Sequence, residues 1–376
     1  MKECTRCTYT DAMPNIVFDE EGVCNYCKQS DLFDETYPIG AEGRQRLEKL
    51  AEDIKKAGKG KQFDCAIGVS GGCDSSYLLH LMKELGLRPL AVHFDNTWNS
   101  AIATQNIKTM LDQLDIELFT LVVDNKEYDD LYRSFLLAGV PDIETPTDIG
   151  LATTMYIACE KYKIKYVIDG HSFRTEGITP LGHLYMDGKY IESVHKAYGK
   201  LPMKTFPNLW FHKFLKWMVF NRIKRVRPLY YIDYNKAEAK KFLQEKYGWQ
   251  WYGGHHLENR FTAFYHSYFM PKRFKLDQRV NEVAALVRHG QMSKEEGKSM
   301  LAETPFLEDG VFELVKKRLG FTDDEFEEVM NLPIKTYKDF KTYKQLFERL
   351  RPFFYVMQKL ELVPKSFYEK YTIKHD

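Results

Sequence analysis

The chain has 376 residues, of which 44% are hydrophobic and 28% are charged, and its formal net charge is +1. This length and apolar content suffice for one large domain or two ordinary domains with buried cores. The balanced charge excludes a global attraction to nucleic acid or to a membrane surface. We expect neither a membrane-spanning helix, because no run of about 18 uncharged apolar residues occurs, nor a signal peptide, because residues 1–30 lack an apolar stretch. A cytoplasmic protein is therefore expected.

Four of the seven cysteines form two C-x2-C pairs near the N-terminus, at Cys4, Cys7, Cys24 and Cys27. Two-residue gaps let both thiolates of a pair bind one metal ion, and four thiolates complete a closed, structural zinc site. The alternatives are two disulfides, which the missing secretory signal disfavours, and a redox dithiol. We predict a zinc knuckle over residues 1–40, with residues 16–23 as a small hairpin.

Residues 41–235 show alternating strand and helix patterns after a first helix at 42–57. Strands are predicted at 63–69, 88–95, 116–123 and 165–170, and helices at 73–86, 100–113, 127–138 and 147–162. Strands separated by helices indicate an α/β fold with a doubly wound parallel sheet.

The turn between the first strand and its helix is rich in glycine and serine. It consists of Val69, Ser70, Gly71, Gly72, Cys73, Asp74, Ser75 and Ser76. Glycines let the backbone approach phosphates, and the start of a helix attracts anions. No lysine is present, so this is not a Walker A loop; an ordinary serine-glycine turn is the alternative. The Ser-Gly-Gly-x-Asp-Ser string resembles the loop of the PP-loop ATP pyrophosphatases, which cleave ATP to AMP and pyrophosphate, and Asp74 suits a Mg²⁺ ligand.

Two further strand ends carry polar residues, because His93, Phe94 and Asp95 end one strand and Asp169, Gly170 and His171 follow another. Ligands of open α/β sheets bind outside the carboxyl ends of the strands. These residues are therefore predicted to bind ATP together with the loop.

Residues 171–235 show no regular pattern and include Arg174 and Glu176. Within them, residues 211–231 interleave basic and aromatic side chains. Three interpretations stay open for this run: a solvated helix with one packed face, a polyanion contact, or a membrane-surface or partner helix.

Residues 236–376 show a helical pattern with expected stops at prolines, among them Pro271. Near its start lies the Gly-Gly-His box, defined here as residues 249–264, with His255, His256, Glu258 and Arg260. On a helix, His256 and Arg260 would share a face. A substrate or pyrophosphate site is favoured over a solvated helix start or a metal site, because no third metal ligand is nearby.

The knuckle, the Ser-Gly-Gly-x-Asp-Ser loop and the box, in this order, resemble the N-acetyl sugar amidotransferase family of bacterial surface-glycan and LPS O-antigen biosynthesis. The resemblance implies that ATP adenylylates the acetamido oxygen of a nucleotide-linked N-acetyl sugar and that ammonia then displaces AMP. We expect catalytic roles for Asp74, Ser75, His256 and Arg260, of which His256 and Arg260 match the family, as Glu258 does. Substrate contacts are expected for Glu258 and His255, and for Arg174 and Glu176 of the irregular segment. Position 255, often lysine in that family, is histidine here.

No cysteine shows the pattern of a glutaminase nucleophile: Lys2 follows Met1, and no Gly-x-Cys-x-Gly occurs. We therefore expect a separate glutaminase subunit to supply ammonia. A tRNA-modifying PP-loop enzyme is the alternative function, disfavoured because Cys65, Cys73 and Cys159 form no C-x-x-C pair. A zinc-bearing scaffold without enzymatic activity is a third possibility.

Overall fold

The computed structural model describes residues 2–178, 184–254, 256–360, 362–363 and 365–374. Within these residues, five parallel strands form one sheet in the order β3-β2-β1-β4-β5. The strands are β1 (Cys65–Gly68), β2 (Pro89–Asp95), β3 (Leu118–Val122), β4 (Tyr166–Ile168) and β5 (Lys224–Val226). The predicted doubly wound parallel sheet is confirmed.

The centre of the sheet is the strand β1, whose Ile67 pairs with Ala91 of β2 on one side and with Ile168 of β4 on the other. From β1 the chain builds outward through β2 to β3, then returns to place β4 on the opposite side of β1. The order of strands therefore reverses beside β1, and the crevice at this reversal is where such sheets bind ligands.

Helices cover both faces of the sheet and make up most of the C-terminal region. They are α1 (Asn25–Thr36), α2 (Gly40–Gly58), α3 (Cys73–Glu84), α4 (Ala101–Leu114), α5 (Asn125–Ala138), α6 (Thr145–Lys161), α7 (Gly188–Tyr198), α8 (Phe211–Leu215), α9 (Lys236–Tyr247), α10 (Arg260–Phe264), α11 (Arg279–Arg288), α12 (Lys294–Ala302), α13 (Val311–Leu319), α14 (Asp323–Asn331), α15 (Lys344–Arg349), α16 (Arg351–Lys359) and α17 (Lys365–Thr372). Among the described residues, none of the helices combines the length and the apolar character that crossing a membrane requires.

Successive residues of the strands point to opposite faces of the sheet. On one face, Leu90 and Phe94 join a core that continues through Phe261 to Tyr371 of the last helix. On the other face, Ile67 joins a second core that includes residues of α2, α3 and α9. Both cores therefore contain residues from before and after position 236.

The prediction that residues 171–235 have no regular structure is wrong in part, because this segment contains α7, α8 and β5. The Asp187 side chain accepts a hydrogen bond from the Tyr190 amide and so caps α7. The basic-aromatic run forms α8, a π-helix at Lys216–Phe220 and β5. Trp217 is buried while Phe220 is exposed, so one face of the run is packed.

Two expectations about the C-terminal region are also wrong. Pro271 does not stop a helix but lies inside a π-helix at Tyr265–Phe274, whose wider turns tolerate a residue without an N–H donor. His256 does not share a helix with Arg260, because α10 begins at Arg260, with Asn259 as its cap. His256 instead has a positive φ of 59°.

Candidate active site

The Ser-Gly-Gly loop lies at the carboxyl end of β1 and leads directly into α3. Gly71 has φ of +84°, and a Cβ there would lie 2.2 Å from the Ala103 carbonyl oxygen. Glycine is therefore required for the loop to pass this close to α4. Gly72 is the cap of α3, so the free N–H groups of the first helical turn face the loop. This arrangement forms a cradle for an anion such as phosphate.

Side chains from distant parts of the chain fix the back of the loop. The Gly71 carbonyl accepts hydrogen bonds from Trp249 Nε1 at 3.0 Å and from Asn106 Nδ2 at 3.2 Å. Asn106 Nδ2 also donates to the Gln250 carbonyl, and Asn106 Oδ1 accepts from the Gln250 amide, each over 2.8 Å. The start of the Gly-Gly-His box is thereby attached to the loop.

The rest of the box lies over the open side of the loop. A Cβ on Gly72 would lie 3.2 Å from Tyr252 Oη and 3.3 Å from Glu258 Oε1. The Glu258 carbonyl accepts a hydrogen bond from the Ser100 amide at 2.8 Å, which joins the box to the turn after β2. The two motifs that are far apart in the sequence thus form a single site.

Asp74, in the first turn of α3, is held by two groups from the segment around α9. Its Oδ1 accepts a hydrogen bond from Tyr234 Oη at 2.6 Å, and its Oδ2 lies 3.1 Å from Lys236 Nζ. Glu176 and Glu282 lie 4.0 Å and 3.8 Å from the same ammonium. Asp74 therefore belongs to a cluster of three carboxylates around one buried lysine.

Lys236 is only 6% exposed. Burial alone would lower the pKa of its ammonium, but the three carboxylates raise the pKa above its ordinary value, so it stays charged. Sequence reasoning missed this residue, because no local pattern distinguishes a buried lysine at a helix start from a solvated one. Its charge lies beside a loop that has no lysine of its own.

The structure brings several other predicted residues to the loop. His93 Nδ1 lies 2.9 Å from the Val69 carbonyl oxygen and donates to it. A Cβ on Gly170 would lie 3.7 Å from Asp74 Cβ. Phe94 is buried in the core, and Asp95 accepts a hydrogen bond from the Thr97 amide in the turn after β2.

Other predicted residues are engaged within the protein. The Asp169 carboxylate accepts a hydrogen bond from Arg227; burial opposes its ionisation, but Arg225 and Arg227 lower its pKa to about 2. His171 lies between Tyr230 and the Gly177 carbonyl.

The remaining predicted residues lie at the edge of the site or beyond it. Arg174 is buried and donates to Asp34 and to the carbonyls of Tyr37 and Tyr230. The Arg260 guanidinium pairs with Glu308 at 3.5 Å. His255 lies outside the described residues.

A cavity of about 270 Å³ extends from Val69 and Ser70 of the loop, past His93 and Glu258, to the start of α6. Its far end is lined by Asp142, Glu144, Asp148, Thr262, Tyr265 and Gln278. Sequence reasoning missed this end, although Glu144 and Asp148 stand four residues apart where a helix begins. A cavity that adjoins a phosphate cradle can hold the acceptor of a transferred group.

The four N-terminal cysteines form a second candidate site. Their sulfurs are buried and lie within 4.8 Å of one another. The Cys4–Cys27 and Cys7–Cys24 sulfurs are 3.8 Å and 3.9 Å apart. Zn–S bonds of about 2.3 Å in a tetrahedron place sulfurs about 3.8 Å apart, whereas a disulfide needs about 2 Å. The residues therefore fit a zinc ion and not two disulfides.

The sequence comparison adds the family to this geometry. Residues 258–351, from the box to the start of α16, match the family described as the C-terminal domain of WbpG-like LPS biosynthesis proteins. The loop, the parallel sheet and this domain occur in one chain. The C-terminal part of the chain is therefore similar to WbpG-like proteins.

Curated relatives match parts of this chain. An uncharacterised protein of Methanocaldococcus jannaschii is 26% identical over 184 residues, which are 48% of this chain and 61% of that protein. The tRNA-specific 2-thiouridylase MnmA of Colwellia psychrerythraea is 29% identical over 130 residues, which are 31% of this chain and 35% of that enzyme. The chain thus spans less than two thirds of the length of either relative.

Among solved structures, an NMN synthetase from Francisella tularensis aligns with 60% of this chain and 92% of its own chain, at 17% identity and a TM-score of 0.28. A likeness this low adds nothing to the fold, which rests on the sheet itself.

Proposed function

We propose that this protein is the synthetase subunit of an ATP-dependent amidotransferase. ATP adenylylates the acetamido oxygen of a nucleotide-linked N-acetyl sugar, and pyrophosphate leaves. Ammonia then attacks the activated carbon and AMP leaves, so that an acetamido group becomes an acetamidino group. The product would serve LPS O-antigen or related surface-glycan biosynthesis in the cytoplasm.

The position of Tyr252 and Glu258 beside Gly72 carries this proposal. It places the box, which opens the WbpG-like domain, against the phosphate cradle. An amide carbonyl is a poor electrophile, so its oxygen must be activated before nitrogen can replace it. A site that holds both the phosphates of ATP and the acceptor supports such an activation, because positioning supplies much of the rate.

The loop N–H groups and the start of α3 would bind the departing pyrophosphate. Lys236 would hold the Asp74 carboxylate in place. Asp74 is also the residue that would hold Mg²⁺, since carboxylate oxygens are the ligands this ion prefers and Glu176 and Glu282 lie nearby. When bound, Mg²⁺ would neutralise charge on the phosphates.

Ammonia would come from a separate glutaminase subunit. The cysteines fit this expectation, because four belong to the knuckle and Cys65, Cys73 and Cys159 are buried. Rapid turnover of the purified chain with glutamine and no added partner would contradict it.

The decisive experiment incubates the purified chain with ATP, ammonium chloride and a panel of nucleotide-linked N-acetyl sugars. Mass spectrometry should detect the replacement of C=O by C=NH in one sugar, together with AMP and pyrophosphate in equal amounts. The Asp74→Asn variant should form none of these products, whereas Asp112→Asn, on the exposed face of α4, should match the wild type. Absence of any sugar-dependent AMP would overturn the proposal.

A second candidate function is tRNA thiolation, favoured by the similarity to tRNA-specific 2-thiouridylases. Burial raises the pKa of both the Cys73 and Cys159 thiols to about 12, so neither is a reactive thiolate at neutral pH. The two functions separate in a binding experiment, because a thiolase should bind tRNA with a strong salt dependence.

A further inference from the structure

The far end of the cavity, called the acidic end here, is built from Asp142, Glu144, Asp148 and Tyr265. It connects to the box through Thr262, whose hydroxyl donates to Glu144 Oε2 at 3.1 Å. The acidic end therefore belongs to the same cavity as the loop.

Two polar atoms at the acidic end lack hydrogen-bond partners among the described residues. The Tyr265 side chain is 1% exposed, yet its hydroxyl has no hydrogen-bond partner within 3.5 Å. Glu144 Oε1 is also buried and has no such partner. A buried polar atom without a partner destabilises the folded state. Such atoms in a cavity wall indicate that a small polar ligand completes them.

The charge of the acidic end selects the kind of ligand. Among the described residues, no lysine or arginine lines the cavity. Lys370 and Arg225 act on Asp148 from outside the lining, and Lys370 also acts on Asp142. Asp142 is held by Tyr190 Oη at 2.7 Å. Glu258, His93, His256 and His266 also line the cavity. At the acidic end itself, the Glu144 and Asp148 carboxylates favour a cation or a hydrogen-bond donor over phosphate.

The Glu144 carboxyl has the properties of a proton acceptor. Burial and the Asp148 carboxylate raise the pKa of Glu144 to about 8. A base works best when its pKa lies near the working pH. Glu144 gains a proton close to neutral pH, which ordinary glutamates do not.

We propose that the acidic end is the binding site of the nitrogen nucleophile, an assignment that rests on the proposed amidotransferase function. Ammonium binds between Glu144 and the Tyr265 hydroxyl, transfers one proton to the Glu144 carboxylate and becomes ammonia. The ammonia lone pair forms the new C–N bond at the carbon whose oxygen carries the adenylyl group. The C–O bond to AMP breaks, and AMP leaves with its electron pair. The amidine that forms is a strong base and keeps a proton as an amidinium, a cation that suits the acidic end.

The test uses the full chain and separates two steps. Sugar-dependent exchange of labelled pyrophosphate into ATP reports adenylylation, and amidine formation against ammonium concentration reports nitrogen transfer. Glu144→Gln keeps the acceptor for Thr262 but cannot take a proton. We expect unchanged exchange and a loss of about a hundredfold or more in kcat/KM for ammonium, as for removal of a general base.

Tyr265→Phe removes only the hydroxyl, which lies near Gln278. The variant should be about as heat-stable as the wild type, while its KM for ammonium rises severalfold. Matched controls outside the cavity are Glu52→Gln on α2 and Tyr355→Phe on α16, and both should behave as the wild type. Unchanged ammonium kinetics in Glu144→Gln and Tyr265→Phe would overturn the ammonium site, as would an effect on KM for ATP alone.

A binding measurement tests the ammonium site even if the proposed function fails. Ammonium chloride should raise the Tm of the wild type above its value in equimolar sodium chloride, because a ligand that binds the folded state stabilises it. The Glu144→Gln variant should lose this difference. Equal Tm values of the wild type in the two salts would overturn the ammonium site, whereas missing sugar-dependent exchange would overturn only the amidotransferase.

Discussion

At the scale of single residues, Lys236 determines the electrostatics of the loop. It faces the Asp74, Glu176 and Glu282 carboxylates from a buried position. Removing one partner of a buried ion pair costs about 3–5 kcal/mol because it leaves uncompensated charge. Lys236→Met should therefore lower the free energy of unfolding by about this amount. Asp74→Asn should cost less, since the ammonium keeps two carboxylates.

Urea unfolding at neutral pH measures both changes, and Lys241→Met on the exposed face of α9 serves as the control. Equal losses for Lys236→Met and Asp74→Asn would contradict the shared cluster and indicate an isolated pair. No sequence pattern announces this cluster, because its members come from four separate segments that only the fold brings together.

At the scale of elements, Gly71 and Gly72 have different roles in the loop between β1 and α3. Gly71→Ala should prevent stable folding, since its Cβ would meet the Ala103 backbone at 2.2 Å and the positive φ adds about 1–2 kcal/mol. Gly72→Ala should fold, because its neighbours at 3.0–3.3 Å are ends of side chains that can move. It should nevertheless lose pyrophosphate release, since the methyl group lies between the loop and the box. Circular dichroism and a pyrophosphate assay check the pair.

The segment that carries the four-cysteine cluster contacts the C-terminal helix α11. Arg288 of α11 donates to Cys27 Sγ at 3.2 Å, and Tyr9 Oη donates to Asn281 Oδ1 at 2.8 Å. We expect one zinc ion per chain in metal analysis, and a lower Tm after chelation, because metal binding stabilises the folded state. Cys24→Ser should lose the metal, whereas Cys65→Ser should retain it. A full metal content in Cys24→Ser would contradict the four-thiolate site.

Elements were predictable where local patterns are strong. The strand β1, its loop and α3 follow from an apolar run, two glycines and a helical repeat, and the structure confirms them within a few residues. The strand β5 was missed because Lys224-Arg225-Val226 is short and basic, with no alternation of apolar residues. The position of the box over Gly72 could not be predicted from local patterns either, since contacts between distant segments leave no periodicity in a single sequence.

At the scale of the whole molecule, each of the two hydrophobic cores contains residues from both sides of the predicted domain boundary between residues 235 and 236. Phe261, at the start of the C-terminal helices, stacks on Tyr132 of α5 with ring centroids 3.5 Å apart. Arg318 of α13 reaches back to Asp129 at 2.8 Å and lies over the Trp98 ring. The WbpG-like helices are thus part of the structure that positions the turn after β2, and through it the box.

This continuity predicts that the sheet and the C-terminal helices unfold together. Urea unfolding followed by far-UV circular dichroism and by tryptophan fluorescence should give one transition with the same midpoint, because contacts across the boundary couple the two parts. Phe261→Ala should shift both midpoints equally, by a loss of about 3–5 kcal/mol for a buried aromatic ring. Phe353→Ala, on the exposed side of α16, is the matched control and should shift neither. Two separate transitions would instead indicate that residues 41–235 form an independent domain, as the alternation of strands and helices in the sequence suggests.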